Sequence, residues 1–253
     1  MALRVVIPSR YASTRLPGKP LIDLLGVPMI VRVFQRVHEA LPECECIVAL
    51  DDVQISSVLD NHNIPWMMTR KDHESGTDRI AEVACLAGWA DSDIVINVQG
   101  DEPLIPSAML SAFKSLIQSR PDFEMATVVA PVETLETLTD SNAVKVITNR
   151  NGNAIYFSRH AIPFNRDIQV EMLNSKNYKR HVGVYAYRVD LLKQIANTSP
   201  VFIELSEKLE QLRALWLGID ISVLEWTEQP PHGVDTLEDV HKVISVLKEA
   251  EHG

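Results

Sequence analysis

The chain has 253 residues, and its 24 Lys plus Arg against 34 Asp plus Glu give a formal net charge of −10. This acidic balance excludes a general DNA- or RNA-coating protein, whose affinity would come from a basic surface that neutralises phosphates. Hydrophobic residues make up 46% and charged residues 23%, so the chain can bury a core, and it contains no apolar run near the roughly 18 residues of a membrane span.

The first half of the chain alternates between predicted strands and helices. Apolar, mostly β-branched runs predict strands over 3–8, 46–50, 64–68 and 93–98. Helical spacing of apolar residues predicts helices from Pro28, over 53–61, over 77–89 with a threonine cap at Thr77, and over 107–119. Such strand–helix alternation predicts an α/β fold with a doubly wound, mainly parallel sheet.

The second half has a different pattern. Strands are predicted over 125–131, 143–148, 154–157 and 181–187, and the turn sequence Asn151-Gly152-Asn153 joins two of them as a hairpin. A polar loop covers 162–179; helices over 190–196, 204–217 and 237–250 and a strand over 219–226 complete the chain. We predict a single domain over 1–253, in which residues 140–190 form an added antiparallel layer that is a candidate oligomer interface.

The loop after the first strand is basic, with Arg10, Arg15 and Lys19 and no acid before Asp23. It contains one glycine, so it is not a dinucleotide loop, and Pro20 after Lys19 excludes a P-loop. A solvated basic loop is one interpretation. Its place at the carboxyl end of the first strand favours a phosphate site built from side-chain cations.

Carboxylates follow the most apolar strand, at Asp101 and Glu102. Two acids at such a position repel one another unless a cation joins them, and oxygen ligands of this kind suit Mg²⁺. Gly100 would let the backbone approach a ligand closely. Asp235 or Thr236, before the last helix, is an N-cap candidate, and for Asp235 taken alone the cap is the favoured interpretation.

Three segments of the sequence, over 7–21, 75–79 and 97–103, resemble the 3-deoxy-manno-octulosonate (Kdo) cytidylyltransferases, the CMP-Kdo synthetases of bacterial lipopolysaccharide synthesis. The resemblance continues in Tyr156-Phe157-Ser158-Arg159 and in segments 180–185, 209–213 and 233–236, so it covers nearly the whole chain in order. The chain departs from the family at Ser9, where alanine is usual, at His160, and in a slightly long run over 200–203 that would alter the sugar pocket.

The resemblance implies a nucleotide-diphospho-sugar transferase type of fold and the reaction of CTP with Kdo to give CMP-Kdo and pyrophosphate. It implies that Asp101 and Asp235 hold Mg²⁺ and that Lys19 and Asp101 are catalytic, which favours the metal role of Asp235 over the cap. Arg10, Arg15 and Lys19 would bind the triphosphate. Ser75, Gly76 and Arg79, at a helix N-terminus, would contact the nucleotide, although Arg79 also suits a surface pair within its helix.

For the sugar acid, the resemblance implies Arg159 and Arg166 as partners of the carboxylate. It implies that the hydroxyls are bound by Gln99, His181, Tyr185, Glu210 and Gln211. Without the resemblance, the structural interpretation is favoured: His181 and Tyr185 are then a pair on one face of a strand, and Glu210 and Gln211 are ordinary helix residues. The family further implies a cytoplasmic homodimer with no membrane or nucleic-acid partner; the three cysteines, without metal-site spacing, agree with reduced thiols in that compartment.

Other functions are also compatible with parts of the sequence. A cytidylyltransferase for 8-amino-Kdo or sialic acid would differ only in the polarity of the sugar pocket. A glycosyltransferase is suggested by Asp91-Ser92-Asp93, but this DxD pattern precedes its strand instead of following it. A catalytically silent nucleotide-binding module is disfavoured because both candidate metal aspartates and all three loop cations are present.

Overall fold

The computed structural model describes residues 1–12, 16–73, 75–120, 122–167, 174–231 and 233–252. They fall into two compact units: Met1–Ala112 with Pro230–Gly253, and Phe113–Gln229. The single-domain organisation over 1–253 stays a prediction. Among the described residues, no helix is both long and apolar enough to cross a membrane.

The first unit is built on a parallel sheet. Its elements are β1 (Leu3–Ser9), β2 (Asp23–Leu24), β3 (Val27–Pro28), α1 (Met29–Ala40), β4 (Glu45–Leu50), α2 (Val53–Asn61), β5 (Trp66–Met68), α3 (Gly76–Leu86), β6 (Ile94–Asn97) and the start of α4 (Ser107–Gln118). Strands β6, β1, β4 and β5 lie side by side in that order, all parallel. Helix α3 starts after a cap by Ser75, so the predicted Thr77 cap is wrong.

The strand order explains where a ligand site forms in this unit. Val5, Val6 and Ile7 of β1 are fully buried, as expected for a central strand covered on both faces. The chain leaves β1 first toward β4 and returns on the other side as β6. Ligands bind at such a reversal of strand order, beyond the carboxyl ends of the strands.

The second unit is mainly antiparallel. It contains β7 (Met125–Pro131), α5 (Leu135–Thr139), β8 (Lys145–Thr148), β9 (Ala154–Ser158), β10 (Lys179–Arg188), α6 (Val189–Ala196), α7 (Phe202–Glu207), α8 (Gln211–Trp216) and β11 (Ile221–Glu225). Strand β10 pairs antiparallel with β7 and β8, β8 pairs antiparallel with β9, and β11 runs parallel to β7. The predicted α/β fold with an added antiparallel layer is confirmed. The last helix, α9 (Leu237–His252), belongs to the first unit.

Two predicted elements of the second unit are corrected. The single helix predicted over 204–217 is two helices, because Lys208 between them adopts a left-handed backbone with φ of 54°, which a right-handed helix excludes. Strand β10 carries an irregularity between Val182 and Tyr185, where two of its residues face none on β7. Helix α5 was not predicted; it is one short turn, capped by Thr134.

Candidate active site

A cavity of about 490 Å³ opens at the carboxyl ends of β1 and β6. It brings together four predicted site residues, Arg10, Lys19, Gln99 and Asp101. Its other lining residues are Pro8, Ser9, Ala12, Pro20, Met29 and Gly100. Gln99, predicted for the sugar, therefore lines the same cavity as the predicted triphosphate cations. Arg15 lies outside the described residues.

Gly100 fixes the spacing between the two loops that form the cavity. A Cβ at this position would lie 2.8 Å from the carbonyl oxygen of Pro8 and 3.3 Å from Cδ1 of Ile30. Any side chain would therefore push the loop after β6 away from the end of β1. The glycine therefore permits a close approach to the protein backbone; the close approach to a ligand stays a prediction.

Lys19 lies between the two predicted metal aspartates. Its Nζ donates to Asp101 Oδ2 at 2.6 Å and to Asp235 Oδ1 at 2.9 Å. The loops that carry the acids are joined by a hydrogen bond from the Val234 amide to the Asp101 carbonyl at 2.8 Å. Gly233 permits this contact, because a Cβ there would lie 3.3 Å from that same oxygen.

Apolar packing holds the segment before α9 in place. Val234 is fully buried in a cluster with Leu16, Leu24, Met29, Leu104, Val240 and Val243. This cluster joins α9 to the segment that follows the first loop. Asp235 is thus held beside Lys19 although 216 positions separate them in the sequence.

The cap of α9 is Thr236. The Asp239 amide donates to Thr236 Oγ1 at 3.3 Å, and Asp239 Oδ2 accepts from the Thr236 amide at 2.9 Å, which is a reciprocal capping box. The Asp235 carboxylate is not used in that box and faces Lys19. The cap interpretation of Asp235 is therefore wrong.

The charges of Lys19, Asp101 and Asp235 act on one another. Burial works against the charge of Lys19, but the carboxylates of Asp101 and Asp235 outweigh it and raise the pKa of Lys19 above its ordinary value. No group of three or more His, Cys, Asp or Glu with metal-site geometry is found among the described residues. Two carboxylates alone fit Mg²⁺, which uses one or two of them and completes its shell with water and substrate phosphates.

The N-terminus of α3 lies beside the end of β1, since a Cβ on Gly76 would be 3.9 Å from Pro8 Cγ. Ser75 Oγ accepts from the Asp78 amide at 3.0 Å, so this predicted nucleotide contact is also the helix cap. Its hydroxyl proton and the first amides of the helix can still be donated to an anion.

Arg79 is fully buried, which rules out the alternative of a surface pair within α3. Its guanidinium donates to Thr69 Oγ1 at 2.5 Å and to Asp51 Oδ2 at 3.1 Å. The other oxygen of Asp51 accepts from the Tyr11 amide in the first loop at 3.0 Å. Arg79 therefore helps to hold Asp51 where it binds the amide of the first loop. Its direct contact with the nucleotide stays a prediction. Asp51 was missed by sequence analysis, although an acid directly after the apolar run of β4 was the available signal.

The sugar candidates His181 and Tyr185 lie in the second unit with their rings in contact, 5.0 Å between centroids. Four residues of regular strand would span about 13 Å, and the irregularity after Val182 shortens that separation. Thr127 Oγ1 donates its proton to the Val184 carbonyl at 2.8 Å, so at its 2.9 Å contact with His181 the ring Nε2 is the donor. Nδ1 of the neutral ring is then an acceptor, suited to a hydroxyl.

Burial keeps both rings uncharged. It lowers the pKa of His181 to about 3, and the charge of Arg180 acts in the same direction. It raises the pKa of Tyr185 well above its ordinary value, helped by Tyr187 and Glu210. The pair therefore offers neutral hydrogen-bonding groups, and the geometry agrees with both a sheet pair and a sugar contact.

The remaining sugar candidates differ in their exposure and in the hydrogen bonds that they make within the protein. Arg159 donates to the carbonyls of Glu207 at 2.6 Å, Ser141 at 2.9 Å and Lys208 at 3.3 Å. It thereby stabilises the break between α7 and α8, a structural role that sequence analysis did not predict. Arg166 is exposed, Gln211 is buried at the first position of α8, and Glu210 is exposed just before it.

The DxD pattern is not a metal site. Asp93 is buried and accepts from the Ala2 amide at 2.7 Å, from Arg4 Nη1 at 2.6 Å and from the Ala90 amide at 3.2 Å. Its carboxylate stabilises the start of the chain against β6. The objection to a glycosyltransferase raised from the sequence is therefore supported by the structure.

Comparison with known proteins identifies the family. A family described as Cytidylyltransferase matches residues 4–221. The 3-deoxy-manno-octulosonate cytidylyltransferase 2 of Burkholderia ambifaria is 50% identical over 252 residues, which are 99% of this chain and 94% of that one. The chain belongs to the 3-deoxy-manno-octulosonate cytidylyltransferase family. It is a nucleotidyltransferase.

Two further relatives agree with this membership. The enzyme of the same name from Thioalkalivibrio sulfidiphilus is 46% identical over 253 residues, 98% of this chain and all of its own. A solved structure of CMP:2-keto-3-deoxy-manno-octonic acid synthetase complexed with CTP superposes with a TM-score of 0.90, at 37% identity over 99% of this chain and 100% of its own. These matches cover nearly all of the given chain, and its fold is that of this cytidylyltransferase family.

Proposed function

We propose that the protein transfers CMP from CTP to the anomeric hydroxyl of Kdo, giving CMP-Kdo and pyrophosphate for lipopolysaccharide biosynthesis. One observation carries this proposal: Asp101 and Asp235 converge on Lys19 at a cavity that Arg10 also lines. Paired acids and cations at one cavity suit a metal-bound triphosphate. The relative whose structure contains CTP supports the choice of nucleotide.

The chain's own cations have a clear part in this reaction. The sugar hydroxyl oxygen forms a bond to the α-phosphorus while the bond from that phosphorus to the β-phosphate oxygen breaks, and the hydroxyl proton is lost. Arg10 and Lys19, with Arg15, bind the triphosphate, and Lys19 offsets the charge that develops on pyrophosphate. Asp101 and Asp235 hold Mg²⁺, which when bound lowers the pKa of the hydroxyl and offsets phosphate charge.

Binding of the sugar acid falls to residues with matching chemistry. Arg166 and the remaining N–H donors of Arg159 pair with the Kdo carboxylate. Gln99, His181, Tyr185, Glu210 and Gln211 bind its hydroxyls. Nδ1 of the neutral His181 ring accepts a hydrogen bond from a sugar hydroxyl, and the protonated Tyr185 hydroxyl donates one. Two properties support this assignment. Both side chains are uncharged, and His181 Nδ1 can accept a hydrogen bond whereas the Tyr185 hydroxyl can donate one.

The assay is release of pyrophosphate by the purified protein with Mg²⁺ and CTP, using Kdo, 8-amino-Kdo and sialic acid in parallel. We expect the highest kcat/KM with Kdo. A higher value with either other acid would move the assignment to that acceptor. Absence of CTP-dependent release with all three would overturn the proposal, and release of a nucleoside diphosphate from a nucleotide sugar would indicate a glycosyltransferase instead.

We further propose that the protein acts as a homodimer in the cytoplasm. Large apolar side chains in the second unit are more than half exposed: Ile155, Phe164, Phe202, Leu205 and Trp216. Exposed apolar surface of this kind favours association. Light scattering after size-exclusion chromatography should give twice the 28.3 kDa of the chain, and a monomeric mass would contradict the proposal.

A further inference from the structure

The carboxylate of Glu207 links two segments of the second unit that carry predicted sugar residues. Glu207 is the last residue of α7 and is half-buried. Its Oε1 accepts a hydrogen bond from Ser158 Oγ at 2.7 Å, and its Oε2 accepts one from the Arg159 amide at 2.9 Å. One side chain therefore joins the break between α7 and α8 to the end of β9.

The contacts of Ser158 make this link specific. Ser158 is 3% exposed, and its Oγ accepts a hydrogen bond from the His160 amide at 3.0 Å while it donates its proton to Glu207. Hydrogen bonds to a carboxylate are roughly twice as strong as those between neutral groups. The main-chain carbonyl of Glu207 also accepts from Arg159 Nε at 2.6 Å. Three hydrogen bonds thus hold Glu207 to two consecutive residues.

The position of Glu207 sets where α8 begins. Lys208 turns the chain with a left-handed φ of 54°, and α8 starts at Gln211, so only a short segment separates Glu207 from Glu210. Burial is the main cause that raises the pKa of Tyr185, and the charge of Glu210 adds to it. Helix α8 also packs against β9. The start of α8 therefore lies near Tyr185.

The strand that Glu207 binds supports the other sugar candidates. Phe157, which precedes Ser158 in β9, is fully buried and meets the His181 ring edge-on, with 5.5 Å between centroids. The His181 ring in turn contacts that of Tyr185. Glu207 thus lies between two groups of predicted sugar residues, one at the start of α8 and the other packed against β9.

We propose that Glu207 is a positioning residue for the sugar acid, whose carboxylate holds the start of α8 at a fixed distance from β9. This inference rests on the proposed function and deepens it, because that function assigns these segments to Kdo. Glu207 acts through Glu210, Gln211 and Arg159 and does not itself touch the substrate. Groups that are ordered before the substrate arrives lose less conformational entropy on binding it.

The test compares Glu207→Ala with the wild type by pyrophosphate release at varied Kdo and by the Kd of CTP, both with Mg²⁺. We expect the KM for Kdo to rise at least about tenfold and the Kd of CTP to stay unchanged, because the predicted CTP contacts lie in the first unit. Urea denaturation establishes that the variant is folded in the assay. If Glu207→Ala does not fold, Glu207→Asp, which keeps the charge but has a shorter reach, should also raise the KM.

Glu207→Gln separates hydrogen bonding from charge. Its amide oxygen can accept from the Arg159 amide and its NH₂ group can donate to Ser158 Oγ, so its KM for Kdo should lie closer to the wild type than to Glu207→Ala. The matched control is Glu124→Ala. Glu124 is another half-buried glutamate of the second unit, and its carboxylate accepts from the Asp220 amide at 2.7 Å. This control should lose stability without a change in the KM for Kdo.

Three results would overturn the inference. The KM for Kdo could be unchanged in Glu207→Ala, or it could rise equally in Glu124→Ala, which would show a general effect of lost stability. An equal loss of CTP affinity in Glu207→Ala would show that the change is not confined to the sugar site. Failure of the proposed function is distinguishable, because the wild type itself would then release no pyrophosphate with Kdo, and the inference would fall with it.

Discussion

Charged side chains serve different purposes in the two units. In the first, Lys19, Asp101 and Asp235 interact with one another at a cavity, so their charges remain at a surface that a ligand can reach. In the second, Arg159 is bonded to three main-chain carbonyls, and Arg213 is buried against Glu204. A basic residue in a recognisable motif is thus a better guide to a ligand site where its charge lies at a cavity than where main-chain carbonyls accept its hydrogen bonds.

The largest expected effect comes from Asp101. Asp101→Asn retains the size of the side chain and a hydrogen-bonding oxygen but loses the charge that would hold Mg²⁺, so we expect a folded protein whose kcat falls more than about 100-fold. The rate of pyrophosphate release at saturating CTP and Kdo gives kcat. Asp23→Asn, at an exposed acid that accepts from the Gly26 amide, is the control and should turn over normally. Unchanged activity of Asp101→Asn would remove this residue from the site.

Gly100 tests whether the cavity depends on close backbone packing. In Gly100→Ala the new Cβ would lie 2.8 Å from a main-chain oxygen, so one of the loops has to move. We expect the free energy of unfolding to fall by about 1–3 kcal/mol and kcat/KM to fall at least about tenfold, because small displacements of catalytic groups are costly.

The control for Gly100 is Gly76→Ala, where the new Cβ meets Pro8 Cγ at an ordinary 3.9 Å. Its unfolding free energy should stay within about 0.5 kcal/mol of the wild type. Denaturation in urea measures the unfolding free energy of both variants. If Gly100→Ala is as stable and as active as the wild type, the two loops are not held by that contact.

Sequence patterns predicted the first unit well, since its strands and helices follow local apolar periodicity. They also placed Lys19 and Asp101 in the loops that follow two strands, and parallel sheets bind ligands beyond the carboxyl ends of their strands. What they missed depends on contacts between distant segments. Gly100 is required because Pro8 lies against it, and the role of Asp235 becomes clear only when Thr236 is seen to cap α9.

The second unit was predicted less accurately because its irregularities have no strong local signal. Lys208 adopts a left-handed backbone although it is not glycine or asparagine, so nothing in the sequence marked the helix break. The irregularity in β10 brings His181 and Tyr185 into contact, whereas a regular strand would separate them. The sugar site therefore remains a prediction residue by residue.

Two arginines of the second unit test whether its charged side chains stabilise the fold or bind the substrate. Arg159→Ala removes three hydrogen bonds at the α7–α8 break, so we expect the free energy of unfolding to fall by about 1–3 kcal/mol. Arg166→Ala, at an exposed side chain, should leave stability unchanged and raise the KM for Kdo about tenfold, as loss of a carboxylate partner would. If Arg159→Ala raises that KM but leaves the free energy of unfolding unchanged, the donors of Arg159 serve only the substrate and the contrast fails.

The smallest effect concerns pH and His181. The folded protein keeps this ring neutral down to about pH 3, whereas in the unfolded chain it gains a proton near its ordinary pKa of about 6.5. Between these values the unfolded state binds more protons, so acidification destabilises the fold, with a slope of at most about 1.4 kcal/mol per pH unit from this residue. His181→Gln should show a shallower loss of stability below pH 6.5 in urea titrations. The control is His62→Gln, which removes an exposed histidine and should leave the dependence of unfolding free energy on pH unchanged.

Equal slopes of unfolding free energy against pH for the wild type and His181→Gln would mean that the ring is protonated in the folded protein. A charged His181 would place a cation, not a neutral acceptor, beside Tyr185.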